Sequence, residues 1–595
     1  MHYEIAFPAP HTHLYEVTLA LDSGGQPMVD LVLPAWMPGS YLVRDYARHV
    51  QQFAAEGDGA PLAWRKIDKA TWRVETGGAA QIAVRYAVYA FELTVRTNHL
   101  DGTHAYFNPG TLCMYWPGRT ADPCAIDVVA PATWIVTTGL AQRTVADVDA
   151  AHRRWSFEAP DYDALVDSPF ECGTHRLLTF SVDAIPHEIA IYGRGNEDEA
   201  RIVNDTRRIV EVERDMFGEL PYTRYVFVLH LVDGAYGGLE HRNSVSNIVD
   251  RWGFASERGY EKFLGLTSHE FYHVWNVKRI RPAPLGPFDY QHENYTSQLW
   301  VSEGITSYYD DLVLLRAGLI GRERYLAILA ENIQTLERQP GRALQSLAES
   351  SFDTWIKFYR PDENTTNSSI SYYLKGSLAA LLLDLEIRGR TEGERSLDHL
   401  LRALYASHAA ADVSAIYAGP TAATAGLAEN APFASHIAAI ADDPDGAYAD
   451  LLRRAIETAE PLDYRRGLAH VGLALTMQGG GGAWHGLALR TENGRLKVFS
   501  ARSDGPGMAA GIYAGDEIVA LDSVRVDEGR LAARIEERRP GDSVVVSLFR
   551  RDDLLHIPLT LGTTPDETAQ LTVDADASDA QRALLDAWLA SPFGS

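Results

Sequence analysis

The stretch KFLGLTSHEFYHVWNVKRIRP occupies residues 262–282 and has the pattern of one long helix, 262–281, that Pro282 stops. Inside it, His269-Glu270-Phe271-Tyr272-His273 forms an HExxH motif. Residues four apart lie on one face of a helix, so both imidazoles can bind one metal ion while Glu270 lies beside them. The pattern therefore predicts a helix that carries two zinc ligands and a general base.

A catalytic zinc site needs a third protein ligand and leaves one position for water. The stretch LWVSEGITSYYDDL, residues 299–312, supplies Glu303 at the start of a second predicted helix, 303–317, which Gly318 ends. Asp310, two turns further on, is placed to accept a hydrogen bond from a ligand imidazole. On spacing alone, the rival third ligands are His241, His292 and Glu293.

Length, charge and cysteine content limit the class of protein. A chain of 595 residues exceeds what one hydrophobic core supports, so several domains are predicted. The net charge of −26 argues against nucleic-acid and membrane-surface partners. Cys113, Cys124 and Cys172 are too few for a disulfide framework and are predicted to be free thiols. The N-terminus lacks the pattern of a signal peptide and no apolar run could cross a bilayer, which predicts a cytoplasmic protein.

The spacing of hydrophobic residues changes along the chain and divides it into five parts, which predicts a multidomain α+β protein. Residues 1–180 alternate apolar and polar side chains, for example at 82–88, and predict an antiparallel N-terminal β-sandwich. Residues 181–320 mix strands with helices and form the predicted catalytic domain. Residues 321–460 are rich in Ala and Leu at helical spacing and predict a helical domain.

The C-terminal parts are β-like and then helical. Residues 461–565 contain short strands separated by Gly and Pro turns, which predict a compact β domain. Residues 566–595 form a tail with a short helix at 578–589, for which Ser578 and Gln581 make a predicted capping box.

The motifs resemble the glycyl aminopeptidase family of gluzincin metallopeptidases. HEFYHVWNVKRIRP and LWVSEGITSYYDDL carry the resemblance, together with WMPGSY at 36–41, GGLEH at 237–241 and YLKG at 373–376. These motifs follow one another in a fixed order over most of the chain. The resemblance implies that residues 181–320 form a thermolysin-like α/β domain and that the helical domain completes the active site.

The resemblance also implies roles for particular residues. One Zn²⁺ per chain would be bound by His269, His273 and Glu303, and Glu270 would deprotonate the water that attacks the peptide bond. Tyr373 of the YLKG motif would donate a hydrogen bond to the tetrahedral intermediate. Its neighbour Tyr372 stays a rival for this role.

A further implied role is the capture of the substrate's free α-amine. Glu240, with Gly237 and Gly238, matches the GxMEN motif of more distantly related zinc aminopeptidases. Here Leu239 and His241 replace the Met and Asn of that motif. The resulting prediction is a zinc aminopeptidase that acts on peptides with a free N-terminus and prefers small first residues such as Gly and Ala. The alternatives are a zinc endopeptidase and a catalytically silent scaffold.

The C-terminal β domain resembles a circularly permuted bacterial PDZ domain. The similar segments are 506–511, 515–522 and 540–542, and the predicted carboxylate nest lies at 484–487. PDZ domains bind extended C-terminal peptides by strand addition, so the resemblance implies such a peptide as a ligand. In the endopeptidase and scaffold alternatives, this domain would recruit substrates or partners.

Overall fold

The computed structural model describes residues 1–409, 446–565 and 567–590. The part of the predicted helical domain at 410–445 lies outside these ranges. Within the described ranges, none of the helices combines the length and apolar character that a bilayer crossing needs. Cys113, Cys124 and Cys172 are free and buried, as predicted.

The first 174 residues form three sheets around a common core. The largest sheet has eight strands in the order Gln142–Asp147, His152–Ala159, Cys124–Pro131, His2–Ala6, Leu14–Asp22, Gln81–Tyr89, Val50–Gly57 and Ala60–Pro61. The three-stranded sheet contains Met28–Val32, Thr71–Glu75 and Trp64–Lys66, and the four-stranded sheet contains Ile135–Thr138, Phe170–Gly173, His104–Phe107 and His99–Leu100. One short helix, Tyr162–Val166, lies just before the strand Phe170–Gly173 in the chain.

The prediction of a wholly antiparallel sandwich is wrong at one pair of strands. His2–Ala6 runs parallel to Cys124–Pro131, with His2 opposite Ala125. Parallel neighbours cannot be joined by a hairpin, and more than 100 residues separate these two strands along the chain, so no tight turn fixes their direction.

A five-stranded sheet follows the N-terminal sheets. Its order is Arg176–Val182, Ile185–Tyr192, Tyr225–Val232, Ser244–Asp250 and Tyr236–Glu240. The three central strands are parallel, and the helix Glu199–Phe217 makes the crossover between the second and third strands. Tyr236–Glu240 is the antiparallel edge strand, so one of its sides is free of a neighbouring strand.

The helix that carries HExxH, called the HExxH helix below, spans Glu257–Tyr272 and begins with the side chain of Ser256 as its cap. The prediction that it runs to residue 281 is wrong. After His273 the chain turns, and the Asn276 side chain donates to the carbonyl groups of Val301 and Ser302 at 2.8 and 3.1 Å. These bonds satisfy carbonyl groups of the neighbouring helix, and they hold Asn276 in the turn in place of another helical turn.

The helix that carries Glu303, called the glutamate helix below, occupies residues 300–316. Its first turn, Trp300–Gly304, is a π-turn, and Ile305–Arg316 is α-helical. Gly318, with φ of 64°, ends it as predicted. The start is earlier than predicted because the π-turn belongs to the helix, and such turns often occur at functional sites.

Helices dominate the described chain from residue 322 to residue 470, whereas the predicted helical domain was 321–460. They are Arg322–Glu337, Leu347–Phe352, Thr365–Ser368, Leu374–Arg390, Leu397–Ala409, Ala447–Leu452 with the π-turn Arg453–Glu457, and Tyr464–His470. The central one, Leu374–Arg390, is buried almost throughout and shares a core with the five-stranded sheet. This helix begins directly after Tyr373, the first residue of the YLKG motif.

Residues 483–563 form a β domain with its own core. Its main sheet contains Leu487–Glu492, Arg495–Ala501, Glu517–Leu521, Ser543–Arg550 and Asp553–Thr560, with Val524–Arg525 beside the third strand. Ala483–Trp484 pairs with Gly562–Thr563, and the helices are Pro506–Ala509 and Glu528–Glu536. Asn367 of the helical region bonds to the backbone of Ala501 and Ser503 and so connects the two parts.

The C-terminal tail returns to the helical region. Its strand Glu567–Val573 pairs with Leu473–Gly479, which precedes the β domain in sequence. The last helix, Asp579–Leu589, has the predicted capping box of Ser578 and Gln581. Its buried Trp588 donates to the hydroxyl of Tyr308 on the glutamate helix at 2.7 Å. The β domain is thus inserted between two paired strands that belong to the core of the helical region.

Candidate active site

Three potential metal ligands converge between the HExxH helix and the glutamate helix. Nε2 of His269 and Nε2 of His273 lie 3.3 and 3.2 Å from Oε2 of Glu303. Ligand atoms around one tetrahedral ion with bonds of 2.0–2.2 Å are separated by roughly 3.4 Å. Both nitrogen–oxygen distances are thus close to those that a single zinc ion requires, and all three atoms lie within 4.8 Å of one another.

The second nitrogen of each imidazole is occupied by an acceptor. Nδ1 of His269 lies 3.1 Å from Oδ2 of Asp310, and Nδ1 of His273 lies 2.7 Å from the carbonyl oxygen of Asn276. When a metal ion is bound, a proton on Nδ1 leaves the lone pair of Nε2 on each ring available to that ion. The turn that ends the HExxH helix thus orients one of the ligands, which the sequence did not indicate.

The charges around this cluster favour a cation. Burial would lower the pKa of His269, but hydrogen bonds to Asp310 and Glu303 raise it well above its usual value. Burial would raise the pKa of Glu303, but the neighbouring His273 and hydrogen bonds from both imidazoles lower it. The carboxylates of Asp310 and Glu303 thus stabilise positive charge at this position, and a metal ion would take the place of the imidazole protons.

Glu270 lies on the HExxH helix and is 6% exposed. Its Oε2 atom is buried and has no hydrogen-bond partner among the described residues. Burial raises the pKa of this carboxyl above its usual value, and the carboxylates of Glu240 and Glu303 add to the effect. A Cβ atom at Gly238 would lie 2.2 Å from Oε1 of Glu270, so the carboxylate can occupy this place only because residue 238 is glycine.

Glu240 ends the edge strand and is 4% exposed. Its Oε1 atom has no hydrogen-bond partner in the described part of the chain. The ammonium of Lys278 is 4.0 Å from this oxygen, but Lys278 binds Asp167 more closely, at 2.8 Å. A Cβ atom at Gly39, where φ is 88°, would lie 2.7 Å from Oε1 of Glu240, so the WMPGSY loop covers this carboxylate.

The structure distinguishes the two neighbouring tyrosines. The hydroxyl of Tyr372 is buried and accepts a hydrogen bond from Oγ1 of Thr354 at 3.1 Å. Tyr373 instead lines the cavity beside the three potential metal ligands, with its ring centroid 6.0 Å from that of His269. Burial raises the pKa of the Tyr373 hydroxyl well above its usual value, so it keeps its proton and can donate it in a hydrogen bond.

Close packing of two helices brings Tyr373 near the three potential metal ligands. A Cβ atom at Gly304 would lie 2.6 Å from the Cα atom of Gly376. Gly304 directly follows the ligand Glu303, and Gly376 is the last residue of the YLKG motif. The two glycines thus allow the glutamate helix and the helix Leu374–Arg390 to touch through their backbones.

All eight predicted site residues line one cavity of about 260 Å³. They are Gly237, Gly238, Glu240, His269, Glu270, His273, Glu303 and Tyr373. Two of the rival ligands lie elsewhere: His241 is paired with Asp167, and His292 is exposed and paired with Asp289. Residues that line the cavity without having been predicted as such are Gly39, Arg96, Tyr236, Gly265, Leu266 and Ser307.

Arg96 and Gly39 reach the cavity from the N-terminal sheets. Gly39 belongs to the WMPGSY motif, which was noted in the sequence, but the motif did not indicate that Gly39 lies at the cavity. No motif or periodicity marks Arg96, because its contact with Gly238 joins residues 142 positions apart.

A second cluster of possible ligands differs from the first. The carboxylate of Glu171 lies 2.9 Å from Nε2 of His104 and 2.9 Å from Nε2 of His230, and all three side chains are fully buried. These distances are shorter than the 3.2–3.3 Å at the HExxH cluster. Both imidazoles hydrogen-bond to Oε2 of Glu171, at 3.0 and 2.9 Å, while Oε1 of this buried carboxylate has no hydrogen-bond partner among the described residues.

Comparison with known proteins agrees with this geometry. Residues 2–174 match the model of the peptidase M61 N-terminal domain, and residues 262–379 match that of the M61 glycyl aminopeptidase. A crystal structure of an aminopeptidase N family protein from Idiomarina loihiensis is 31% identical, with a TM-score of 0.89 and coverage of 99% of each chain.

Two weaker similarities complete the comparison. An M1 zinc metallopeptidase from Deinococcus radiodurans is 14% identical, with a TM-score of 0.49 and coverage of 78% of this chain and 94% of that one. A Brucella suis protein described as a probable periplasmic serine endoprotease DegP-like is 30% identical over 94 residues. That match covers 16% of this chain and only 18% of the Brucella protein.

By sequence and fold, the chain is a zinc metallopeptidase. More specifically, it belongs to the M61 glycyl aminopeptidase family. Zinc is accordingly its cofactor, and the three converging atoms of His269, His273 and Glu303 fit that ion.

Proposed function

We propose that this chain is an aminopeptidase that hydrolyses the first peptide bond of peptides with a free N-terminus. The observation that carries the proposal is the buried carboxylate of Glu240, a residue that lines the cavity and whose Oε1 atom has no hydrogen-bond partner among the described residues. A buried anion is costly unless a cation pairs with it, and the ammonium group of a substrate is such a cation. The preference for a small first residue such as Gly or Ala is proposed from the glycyl aminopeptidase family to which the chain belongs.

His269, His273 and Glu303 would hold the zinc ion. When bound, zinc polarises the peptide carbonyl and lowers the pKa of a coordinated water to about 7. Glu270 accepts a proton from the attacking water as the water oxygen bonds to the carbonyl carbon. The carboxyl of Glu270 then gives this proton to the leaving nitrogen as the C–N bond breaks.

Two further side chains act on the substrate. The protonated hydroxyl of Tyr373 donates a hydrogen bond to the carbonyl oxygen as negative charge develops on it. Glu240 binds the substrate ammonium and so sets which bond lies next to Glu270. The covering loop at Gly39 excludes water from this ion pair, which strengthens it.

We also propose the domain division predicted from the sequence: 1–180, 181–320, 321–460, 461–565 and 566–595. The second domain is proposed to be thermolysin-like, since a mixed sheet has its edge strand beside the HExxH helix. The strand Leu473–Gly479 pairs with Glu567–Val573 of the tail. This pairing favours a fourth domain that is slightly smaller than 461–565 and leaves out Leu473–Gly479.

The fourth domain is proposed to be PDZ-like. Its strand Leu487–Glu492 and helix Glu528–Glu536 would border a groove for an extended C-terminal peptide. The backbone N–H of Leu487, in the predicted nest, lies 3.0 Å from Nδ1 of His485. A peptide carboxylate would therefore take the place of this imidazole as the acceptor.

Glu240→Ala tests the proposed capture of the amine. A charge-assisted contact is typically worth about 1.5–3 kcal/mol, and about 1.4 kcal/mol corresponds to a factor of ten. We therefore expect kcat/KM for a free glycyl peptide to fall by roughly one to two orders of magnitude. Steady-state kinetics of the zinc-loaded variant, with its melting temperature, measure this.

The matched control is Glu16→Ala, which removes an exposed strand glutamate and should leave kcat/KM unchanged. If Glu240 only pairs with Lys278, Glu240→Ala will lower the melting temperature and keep kcat/KM within about twofold. That result would remove Glu240 from the substrate site.

A further inference from the structure

Arg96 extends from the N-terminal sheets to the edge strand of the catalytic sheet. Its Nη2 atom donates to the carbonyl oxygen of Gly238 at 3.0 Å, and Nη1 lies 3.6 Å from the position of a Cβ atom at Gly237. The hydroxyl of Tyr46 donates to the backbone carbonyl of Arg96 at 2.9 Å, and the adjacent Val95 is buried against Leu239. The backbone that carries the guanidinium is therefore anchored on both sides.

This contact changes the chemistry of the edge strand. The outward carbonyl groups of an edge strand are ordinarily free to accept N–H groups of an added peptide. At Gly238 that acceptor is already occupied by Arg96. The Nε atom of Arg96 is buried and lacks a hydrogen-bond partner within the described residues. The strand therefore presents N–H donors and a positive charge where a carbonyl acceptor would otherwise be.

Glu240 and the Arg96 contact at Gly238 mark two positions along the edge strand. Glu240 and Gly238 are two residues apart on the strand, which corresponds to about 7 Å at 3.2–3.4 Å per residue. An extended dipeptide spans about the same length, since each residue covers at most about 3.3–3.6 Å. With its ammonium at Glu240, a dipeptide would have its scissile bond near Glu270 and its carboxylate near Arg96.

We propose that Arg96 is a specificity residue that binds the C-terminal carboxylate of dipeptide substrates, which makes the enzyme a dipeptidase by preference. The inference rests on the proposed aminopeptidase function and adds the substrate class. A guanidinium offers several N–H donors in a fixed plane, so it can hold Gly238 and still bind a carboxylate.

The test compares Gly-Ala with Gly-Ala-amide, which has no terminal carboxylate. For the wild-type enzyme we expect kcat/KM to be about 10–100-fold higher for Gly-Ala, with most of the difference in KM, because the contact persists throughout the reaction. In Arg96→Ala this ratio should fall to about 1–3. Arg96→Lys should keep an intermediate ratio, because an ammonium retains the charge without the planar arrangement of donors.

The control is Arg65→Ala, which removes an exposed arginine paired with Glu75 and should keep the wild-type ratio. The wild-type ratio decides the matter even if an Arg96 variant folds poorly, and a ratio near 1 would overturn the inference. N-acetyl-Gly-Ala separates the two proposals. If the enzyme does not cleave the blocked peptide but cleaves Gly-Ala and Gly-Ala-amide equally well, the proposed role of Arg96 is wrong and the aminopeptidase proposal stands. Equal cleavage of blocked and free peptides would remove the aminopeptidase itself.

Discussion

Glu270→Gln is expected to lower kcat by about 10²–10⁴-fold while the protein keeps its zinc and its fold. Glutamine has nearly the shape of glutamate but cannot accept a proton, so proton transfer from the attacking water fails. In the wild type, Oε2 of Glu270 has no hydrogen-bond partner within the described chain, so replacing the carboxylate breaks few contacts. Steady-state kinetics, zinc content and the melting temperature together measure this result.

The matched control is Glu257→Gln, which changes an exposed glutamate at the first turn of the same helix. We expect this variant to keep wild-type kcat and zinc content. A Glu270→Gln enzyme with kcat within tenfold of wild type would show that another group takes the proton. If kcat falls only because zinc is lost, the role of Glu270 is structural.

Tyr373→Phe is expected to lower kcat by about 10²–10³-fold, the usual effect of removing one donor to a developing oxyanion. The hydroxyl group contributes mainly when charge develops on the substrate oxygen, so KM should change much less than kcat. The zinc content and the melting temperature should remain close to those of the wild type. The measurement is a full kinetic comparison at substrate saturation.

Tyr372→Phe is the matched control, because it removes the same hydroxyl group from the adjacent residue. This hydroxyl accepts a hydrogen bond from Thr354 within the core, so its loss should cost about 0.5–1.5 kcal/mol of stability and little activity. A fully active Tyr373→Phe enzyme would transfer the oxyanion role to another donor. The reverse pattern, with Tyr372→Phe inactive and Tyr373→Phe active, would exchange the two assignments.

Local sequence determined the elements that carry the metal ligands. HExxH fixes its own geometry, because residues four apart on any helix share a face, and Glu303 lies on a helix whose end at Gly318 was also predicted. The end of the HExxH helix was predicted wrongly because Asn276 leaves the helix to bond with carbonyl groups of the glutamate helix. Such a long-range bond leaves no periodic signal in the sequence.

The choice among rival residues also needed three-dimensional structure. Tyr372 and Tyr373 are neighbours of the same type, and only their surroundings show that Tyr373 alone faces the cavity. His241 and His292 were open as ligands until each was found with an aspartate partner elsewhere. In each case the deciding contact joins segments that are distant in sequence or lie on different elements.

The contribution of the N-terminal sheets to the active site was the least predictable part. Gly39 covers Glu240, and Arg96 reaches Gly238. Pattern and composition describe elements one at a time, whereas these two contacts depend on how separate sheets pack against each other. The site is therefore only partly encoded in the local motifs, even though those motifs determine its metal-binding core.

The most direct test of the account compares kcat/KM of the zinc-loaded wild-type enzyme for Gly-Ala and N-acetyl-Gly-Ala, before and after chelation. We predict that acetylation lowers kcat/KM by at least one to two orders of magnitude, because it removes the charge that pairs with Glu240. Chelation should abolish the remaining activity, and added zinc should restore it. Equal cleavage of the two peptides by the zinc-loaded enzyme would contradict the account and favour an endopeptidase.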